Sequence, residues 1–469
     1  MMQNNAMNPE AGWIRLKENS PSALSDSASK KKTVFCSLIV ISLIYSILLA
    51  FFGHGEASRW IFFWDQRDSF MDFYNCLYDS CFENPYLDRG VIYPPLTYVI
   101  YRFFGQMIPD LKFLYWNMDL RSFQPAVLSF SLYFAASFVL FSYSLWLFLK
   151  KYDRQWIPLL ICILVSAPVV FAFERGNLIF LAISGILVFL SLYESESFLE
   201  REFGLIALAF AANIKLYPAV FGLLLLNREH WKDALRCVVY GVLLFVLPMF
   251  VFGGLSNIPV LVVNILNTSD GFEDIYENRV DIGNVFRYFS DCNIHSGFFS
   301  RLSVLTLPLG TALLSLAGFL VREKWKKVLA FCIICAALPG FSWSYNLMYY
   351  IPALLLCIYE SRNSRRNLVY FFLLLLFFLY YPFSASTIFP SSFIPFFPSR
   401  RAWDTLATGS HFLLILMLVC DGIYERILDP QEKILFLTDQ LPRQSGNGSC
   451  GKICFLTSGS MKKGAVNYE

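Results

Sequence analysis

The sequence predicts an all-α integral membrane protein, and the prediction rests on composition, segment length and charge placement. Of the 469 residues, 56% are hydrophobic and 16% are charged, whereas a soluble domain carries about 25% charged residues. Apolar segments long enough to cross a bilayer recur along the chain, and Lys and Arg gather in alternate connecting loops. Because one aqueous core could not enclose so much apolar surface, lipid must cover much of it.

The first predicted span covers residues 33–53 and follows a polar segment that ends in three lysines at 30–32. These lysines place the start of the span on the cytoplasmic side. The polar segment is longer than the charged region of a signal peptide, and aromatic residues close the span in place of a small-residue cleavage site. We therefore expect an uncleaved first helix.

The remaining apolar segments predict a polytopic fold of about 10–13 transmembrane helices, with both termini cytoplasmic. The expected organisation is a cytoplasmic tail at 1–32, a transmembrane domain at 33–425 and a cytoplasmic tail at 426–469. Extracytoplasmic loops are expected at about 54–121, 253–300 and 383–404. After the first, the predicted spans lie at about 123–149, 156–173, 178–193, 234–252, 303–321, 328–341, 345–358, 367–382 and 405–424.

Two segments do not read as simple spans. Residues 91–108 are semi-apolar but broken by Pro94 and Pro95, so we expect an amphipathic helix at the interface. Residues 203–226 are interrupted at Lys215, which leaves either one span with a buried lysine or a helix pair that turns outside. The charges of the flanking loops favour the pair, because both ends of the segment then lie on the same aqueous side.

Polar residues converge on the predicted outer face. An ionisable group near lipid is costly, so its placement is informative. Acidic residues cluster in the first outer loop, and basic or aromatic residues occupy the later turns. The candidate site residues are Asp65, Asp68, Asp72, Tyr93, Arg175, Asn177, Lys215, Tyr217, Arg279, Arg287, Trp343 and Tyr345.

This combination of residues suits glycosyl transfer from a lipid-linked phosphosugar. Asp72 could act as a general base toward a hydroxyl nucleophile. Arg175 and Lys215, assisted by Arg279 or Arg287, could bind the donor phosphate and stabilise it as it leaves. The aromatic candidates could stack on a sugar ring or a prenyl chain, at a site where bilayer meets water.

Each candidate also has a structural interpretation. Asp72 could be a solvated loop acid, and Arg175 could extend toward lipid headgroups. Lys215 could belong to a structural ion pair. Trp343 and Tyr345 could be interfacial aromatic residues. The joint placement of these residues on one face is what favours a site.

Cysteine and histidine placement predicts no metal or other cofactor. Most of the 12 Cys fall inside apolar stretches, where small buried side chains are expected. Cys76 and Cys81 lie in a polar loop, and their pairing is left open by the sequence. Complete zinc spacing and nucleotide-binding loops are absent from the sequence, and no basic stripe with aromatics predicts a nucleic-acid partner.

Four parts of the sequence, in this order, resemble the membrane glycosyltransferases of the GT-C superfamily and, within it, glycosyltransferase family 87. That family includes polyprenol-phosphate-mannose-dependent mannosyltransferases. The Arg-Gly-Asn and Lys-Leu-Tyr-Pro pair is the most specific element. The matching parts are Asp72-Phe73-Tyr74 with Ile92-Tyr93-Pro94-Pro95-Leu96, Arg175-Gly176-Asn177, Lys215-Leu216-Tyr217-Pro218, and Ser342-Trp343-Ser344-Tyr345.

The resemblance implies a multi-span helical fold, a polyprenyl-phosphate sugar donor and a catalytic acid in the first extracytoplasmic loop. That acid falls on Asp72, with Asp65 and Asp68 as rivals. The family often reads Asn-Gln-Ser in a later loop, where this chain has Asn278-Arg279-Val280. This departure leaves open the donor sugar, a mannose-like hexose or pentose, and the glycan or lipid acceptor. The resemblance also points to a bacterial inner (plasma) membrane.

Two other functions compete with the transferase interpretation. A lipid-linked glycan flippase or transporter predicts polar residues through the span centres and repeated halves, and the sequence has neither. A polysaccharide polymerase or ligase also uses outer-face arginines but takes a pyrophosphate-linked oligosaccharide donor. The sequence separates this second rival poorly from a transferase.

Overall fold

The computed structural model describes residues 26–63, 65–226, 230–267, 276–393 and 396–428. Within these ranges the regular secondary structure is helical, and β pairing is limited to two isolated antiparallel bridges, Arg279–Trp343 and Ser384–Arg401. The predicted all-α class is therefore confirmed. Most of the two predicted tails, 1–32 and 426–469, lies outside the described residues.

The described ranges contain α-helices of very different lengths. In chain order they are α1 (Asp26–Phe52), α2 (Met71–Ser80), α3 (Pro85–Arg89), α4 (Pro95–Gly105), α5 (Leu111–Asn117), α6 (Gln124–Leu149), α7 (Ile157–Leu164), α8 (Ala167–Arg175), α9 (Ile179–Leu192), α10 (Phe198–Ile214), α11 (Trp231–Met249), α12 (Asn257–Asn267), α13 (Ile282–Asp291), α14 (Ser296–Leu320), α15 (Lys324–Ala337), α16 (Ile351–Glu360), α17 (Arg365–Leu376) and α18 (Ala402–Ile423). The longer 3-10 segments are Tyr217–Leu225 and Ser344–Tyr350.

Among the described residues, five helical segments are long and apolar enough to cross a membrane. They are α1, α6, α14, Trp231–Phe252 and Ala402–Arg426. Helices α7 and α8 meet at a bend of 47° and make a sixth span if the pair is counted as one. The chain is therefore an integral multi-pass membrane protein.

The other apolar segments predicted as spans form shorter helices. Helix α15 ends just before Pro339 and Gly340, and α16 is preceded by a 3-10 segment in place of a longer α-helix. Proline and glycine interrupt the helical backbone there. Apolar segments in the sequence predict 10–13 spans. Among the described residues, five or six helices are long and apolar enough to cross a membrane by length and composition.

The α-helical backbone is interrupted at Lys215, and the lysine itself is buried. Helix α10 ends at Ile214, and a 3-10 segment begins at Tyr217. The Thr97 hydroxyl in the first turn of α4 donates to the Ile214 carbonyl oxygen at 2.8 Å. A carbonyl that has lost its helical partner inside a membrane domain needs such a partner within the protein. The helix expected within 91–108 is present as α4.

Helix α9 is the centre of the bundle, although it has 14 residues. Every residue from Ile179 to Ser191 is buried, against α6 on one side and α10 on the other. The approach to α10 depends on Gly185, where an added Cβ would lie 2.4 Å from the Ala207 carbonyl oxygen and 2.8 Å from the Ala211 Cβ. Because both obstacles are backbone or Cβ atoms, a larger residue must separate the helices.

We expect Gly185→Ala to lower the free energy of unfolding by about 1–3 kcal/mol, the usual cost of overpacking a close contact. Thermal unfolding of the purified protein in detergent measures the effect. The matched control is Gly241→Ala on α11, where an added Cβ meets nothing within 4 Å. Equal unfolding midpoints for the two variants would contradict the close packing of α9 on α10.

Candidate active site

The centre of the candidate site is the carboxylate of Asp72, in the first turn of α2. Its Oδ1 accepts a hydrogen bond from Arg175 Nη2 at 2.5 Å, and its Oδ2 accepts one from Asn177 Nδ2 at 2.8 Å. The Asp72 side chain is 20% exposed and the Arg175 side chain 7%. Both carboxylate oxygens are therefore oriented while the group stays open to a ligand.

The geometry depends on the turn between Arg175 and Asn177. Helix α8 ends at Arg175, and Gly176 follows with φ +68°. An added Cβ at Gly176 would lie 3.0 Å from the Phe73 Cβ and 3.1 Å from the Phe130 ring. Glycine alone fits both this left-handed backbone and this space, which explains the Arg-Gly-Asn order.

Arg175 also forms an ion pair with a second acid, Asp68. Its Nη1 donates to the carbonyl oxygen and to the Oδ2 of Asp68, both at 2.9 Å. Its guanidinium carbon lies 4.1 Å from the centre of the Phe63 ring. Burial of the Asp68 carboxyl raises the pKa of that group, and the Arg175 charge acts in the opposite direction. Arg175 therefore fixes Asp68 and Asp72 relative to each other.

The first loop is further held by Glu174, a residue that the sequence analysis did not single out. The Ser69 hydroxyl donates to Glu174 Oε1 at 2.7 Å, and the Phe70 amide donates to the Glu174 carbonyl oxygen at 2.7 Å. Phe70 itself has φ +64° at the start of α2. The end of α8 thus holds the segment that leads into Asp72.

Lys215 is a second buried cation, and its surroundings differ from those of Arg175. Its side chain follows the end of α10 and is 5% exposed. Its ammonium lies 4.9 Å from the centre of the Tyr345 ring and 5.9 Å from that of Tyr93. These are cation–π distances. No acidic side chain in the described part of the chain forms a direct ion pair with Lys215, although the Asp72 carboxylate is close enough to act on its charge.

Aromatic side chains connect Arg175 and Lys215 with the turn at 342–345, called the late turn below. The edge of Trp343 packs on Phe63, with ring centres 5.3 Å apart, and Phe63 in turn lies against Arg175. Tyr345, two residues after Trp343, lies against Lys215. Tyr217 is half-buried and packs against the main hydrophobic core. Phe63 was not among the predicted site residues, because one phenylalanine among many carries no distinguishing sequence signal.

Three of the predicted site residues have contacts elsewhere. Asp65 pairs with the exposed Arg67, whose backbone amide and side chain lower the pKa of the Asp65 carboxyl. Arg279 is buried, with its Nε 3.1 Å from Asp281 Oδ2. Arg287 is half-buried on α13. The hydrogen bonds to Asp72 among the described residues come from Arg175 and Asn177.

The structure shows the state of Cys76 and Cys81 and the arrangement of the potential metal ligands in the described ranges. Cys76 lies within α2 and Cys81 directly after it, and both thiols are free. No group of three or more His, Cys, Asp or Glu side chains in the described ranges is arranged to hold a metal ion.

The sequence that forms this bundle and polar cluster matches a known family. The sequence model of glycosyltransferase family 87 matches residues 92–343, more than half of the chain. The chain belongs to glycosyltransferase family 87. The match contains Arg175, Asn177 and Lys215 and ends at Trp343, whereas Asp72 precedes it. No curated protein and no solved structure matches the chain.

In this family 87 glycosyltransferase, we expect Arg175→Lys to reduce sugar transfer roughly 10- to 100-fold, because misplacing a reacting group has costs of that size. One ammonium nitrogen cannot bridge Asp68 and Asp72 as two guanidinium nitrogens do. Transfer rate and unfolding midpoint would be measured together. The control is Arg67→Lys, whose side chain is 88% exposed. A wild-type rate in Arg175→Lys would contradict the positioning of Asp72 by Arg175.

Proposed function

We propose that this protein transfers a sugar, a mannose-like hexose or a pentose, from a polyprenyl-phosphate donor to a glycan or lipid acceptor on the extracytoplasmic face. The observation that carries the proposal is the Asp72 carboxylate, held at both oxygens by Arg175 and Asn177 in a family 87 chain. We place the enzyme in a bacterial inner (plasma) membrane, with both termini cytoplasmic.

The proposed reaction needs a base, and Asp72 fills that role. The acceptor hydroxyl oxygen attacks the anomeric carbon, the bond from that carbon to the phosphate oxygen breaks, and Asp72 takes the hydroxyl proton. Each carboxylate oxygen has two acceptor sites, so one remains beside the hydrogen bond that orients it. Direct displacement inverts the anomeric centre. The phosphate leaves with the bonding electrons, so the donor supplies its own activation.

The leaving phosphate needs a cation, and Lys215 is the best placed to meet it. A buried ammonium without a direct ion-pair partner is costly until an anion arrives, and phosphate is a strong partner for such a charge. The sequence also assigned Arg175 to the phosphate. Since Arg175 is engaged by Asp68 and Asp72, we propose that it chiefly positions the base.

The aromatic residues are proposed to shape the donor site. Tyr93 and Tyr345 flank Lys215 and would lie against the sugar phosphate held there. Trp343, half-exposed beside Phe63, offers a flat apolar surface to a sugar ring or to the first prenyl units. Tyr217 is proposed to complete this wall from the 3-10 segment that follows Lys215.

We expect Asp72→Asn to lower the transfer rate roughly 100- to 10,000-fold, the usual contribution of a positioned base. The purified protein in lipid would be given radiolabelled polyprenyl-phosphate sugars, and labelled acceptor would be counted. The control is Asp65→Asn in the same loop, which should transfer at the wild-type rate. Undiminished transfer by Asp72→Asn would remove Asp72 as the base.

The same assay separates the proposal from its rivals. Consumption of pyrophosphate-linked oligosaccharide, with no transfer from monosaccharide donors, would instead indicate a polymerase. Movement of labelled glycolipid across a vesicle membrane without any product would indicate a flippase.

We expect Lys215→Met to weaken binding of polyprenyl phosphate roughly 10- to 100-fold, because a charge-assisted hydrogen bond contributes about 1.5–3 kcal/mol. Lys215→Arg should retain part of the affinity. Binding of polyprenyl phosphate to the protein in nanodiscs is the measurement. The control is Lys112→Met, an exposed lysine on α5. Equal affinity in Lys215→Met and wild type would show that the phosphate binds elsewhere.

A further inference from the structure

We propose that Arg401 and Asp404, at the start of α18, are positioning residues for sugar transfer. The inference rests on the proposed function. Neither residue belongs to the cluster of acids and cations around Asp72. Together they hold two separate segments that bear on that cluster, namely the entry to the first outer loop and the late turn that carries Trp343.

Asp404 joins three segments of the chain at one fully buried carboxylate. Its Oδ2 accepts from the Asn278 amide and from the Ser399 hydroxyl, both at 2.9 Å, and its Oδ1 accepts from the Ser344 hydroxyl at 2.7 Å. The Ser344 amide donates to the Asn278 carbonyl oxygen at 2.9 Å. The segment after 276 is thereby fixed against the turn at 342–345.

The Asp404 contacts reach Trp343 through the backbone. Arg279, next to Asn278, forms an isolated bridge with Trp343, and the Val280 amide donates to the Ser342 carbonyl oxygen at 2.8 Å. Asn278 has φ +63°, a left-handed conformation that asparagine adopts more readily than most residues. Asp404 accepts from its amide and the Ser344 amide donates to its carbonyl oxygen, so the backbone is held on both sides.

Arg401 holds a different segment, the start of the first outer loop. Its side chain is 1% exposed, and its Nε and Nη2 donate to the carbonyl oxygens of Trp60 and Ile61 at 3.1 and 3.0 Å. Its Nε lies 3.7 Å from Asp404 Oδ2, so the two charges compensate each other. The start of the first outer loop is therefore fixed to the same helical turn as the Asn278 segment.

The contacts of Arg401 and those of Asp404 converge on Phe63, which lies two residues after Ile61. Phe63 packs on Trp343 and also lies against the guanidinium of Arg175, which orients Asp72. A shift of the loop entry would move Phe63, and a shift of the late turn would move Trp343. Either shift changes the packing on Arg175, so we infer that the Arg401–Asp404 pair sets the position of the base.

The test compares the removal of two buried carboxylates on one helix. Asp404→Ala removes the ion-pair partner of the buried Arg401. Asp421→Ala, at the other end of α18, removes one of three carboxylates around the buried Lys326, whose Nζ lies 2.7 Å from Asp421 Oδ2 and also pairs with Glu323 and Glu425. Both carboxylates are almost completely buried. We expect both variants to lose thermal stability, but only Asp404→Ala to lose kcat, by roughly 10-fold or more, with little change in donor KM.

A milder variant keeps the test informative if Asp404→Ala does not fold. Arg401→Lys retains a positive charge beside Asp404, but one nitrogen cannot serve the two carbonyl oxygens of Trp60 and Ile61. We expect it to fold and to show the same loss of kcat. A kcat in Arg401→Lys and Asp404→Ala equal to that of Asp421→Ala would overturn the proposal.

Hydrogen–deuterium exchange tests the positioning without any substrate. The Phe70 amide is bonded to the Glu174 carbonyl oxygen at the end of α8. We expect it to exchange faster in Asp404→Ala and in Arg401→Lys, but not in Asp421→Ala. Unchanged exchange at Phe70 in both test variants would also overturn the proposal.

The kinetic measurement and the exchange measurement together separate this inference from the proposed function. If the wild-type protein transfers sugar from no polyprenyl-phosphate donor, the proposed function fails. Faster Phe70 exchange would then still support coupling between α18 and the Asp72 loop.

Discussion

The buried guanidinium of Arg175 is the interaction on which the site depends. A buried charge is costly unless its partners are well placed, and here two acids, a backbone carbonyl oxygen and an aromatic ring surround it. Its position at the carboxyl end of α8 is favourable as well, because a cation there meets the negative end of the helix dipole. The loop, the end of α8 and the Asp72 carboxylate are consequently ordered as one unit.

The interrupted helices make such a unit possible inside a membrane domain. Backbone groups freed at a break must find partners within the protein, because lipid provides none. The Thr97 hydroxyl meets the Ile214 carbonyl where α10 ends, and the Ala167 amide donates to the Phe378 carbonyl where α7 and α8 bend. Each break is thus stabilised by a remote segment. The end of α10 puts Lys215 at a helix end, and the turn at Gly176 does the same for Arg175, so that both long side chains can turn inward to a shared site.

The sequence predicted those features that depend on local pattern. The spans at 33–53 and 123–149 correspond to α1 and α6, and the break at Lys215 follows from a lysine and a proline in an apolar stretch. Pairings between distant residues could not be predicted in this way. Asp72 as a partner of Arg175, and Asp404 as the partner of the Asn278 amide, depend on tertiary packing that no spacing encodes. The span count depends on where helices break in three dimensions, and apolar length does not report it.

The two buried cations of the site differ in one respect that bears on mechanism. Arg175 is already neutralised by acids, so an arriving phosphate gains little from it and would disturb the orientation of Asp72. Lys215 has aromatic faces and no ion-pair partner among the described residues, so it gains most when negative charge develops beside it. In glycosyl transfer that charge appears on the leaving phosphate as the bond to the sugar breaks. A fixed cation awaiting this charge lowers the barrier without reorganising at the moment of reaction. In the proposed mechanism, Arg175 positions Asp72 and Lys215 receives the charge of the phosphate. Because the two tasks lie on separate residues, neither weakens the other.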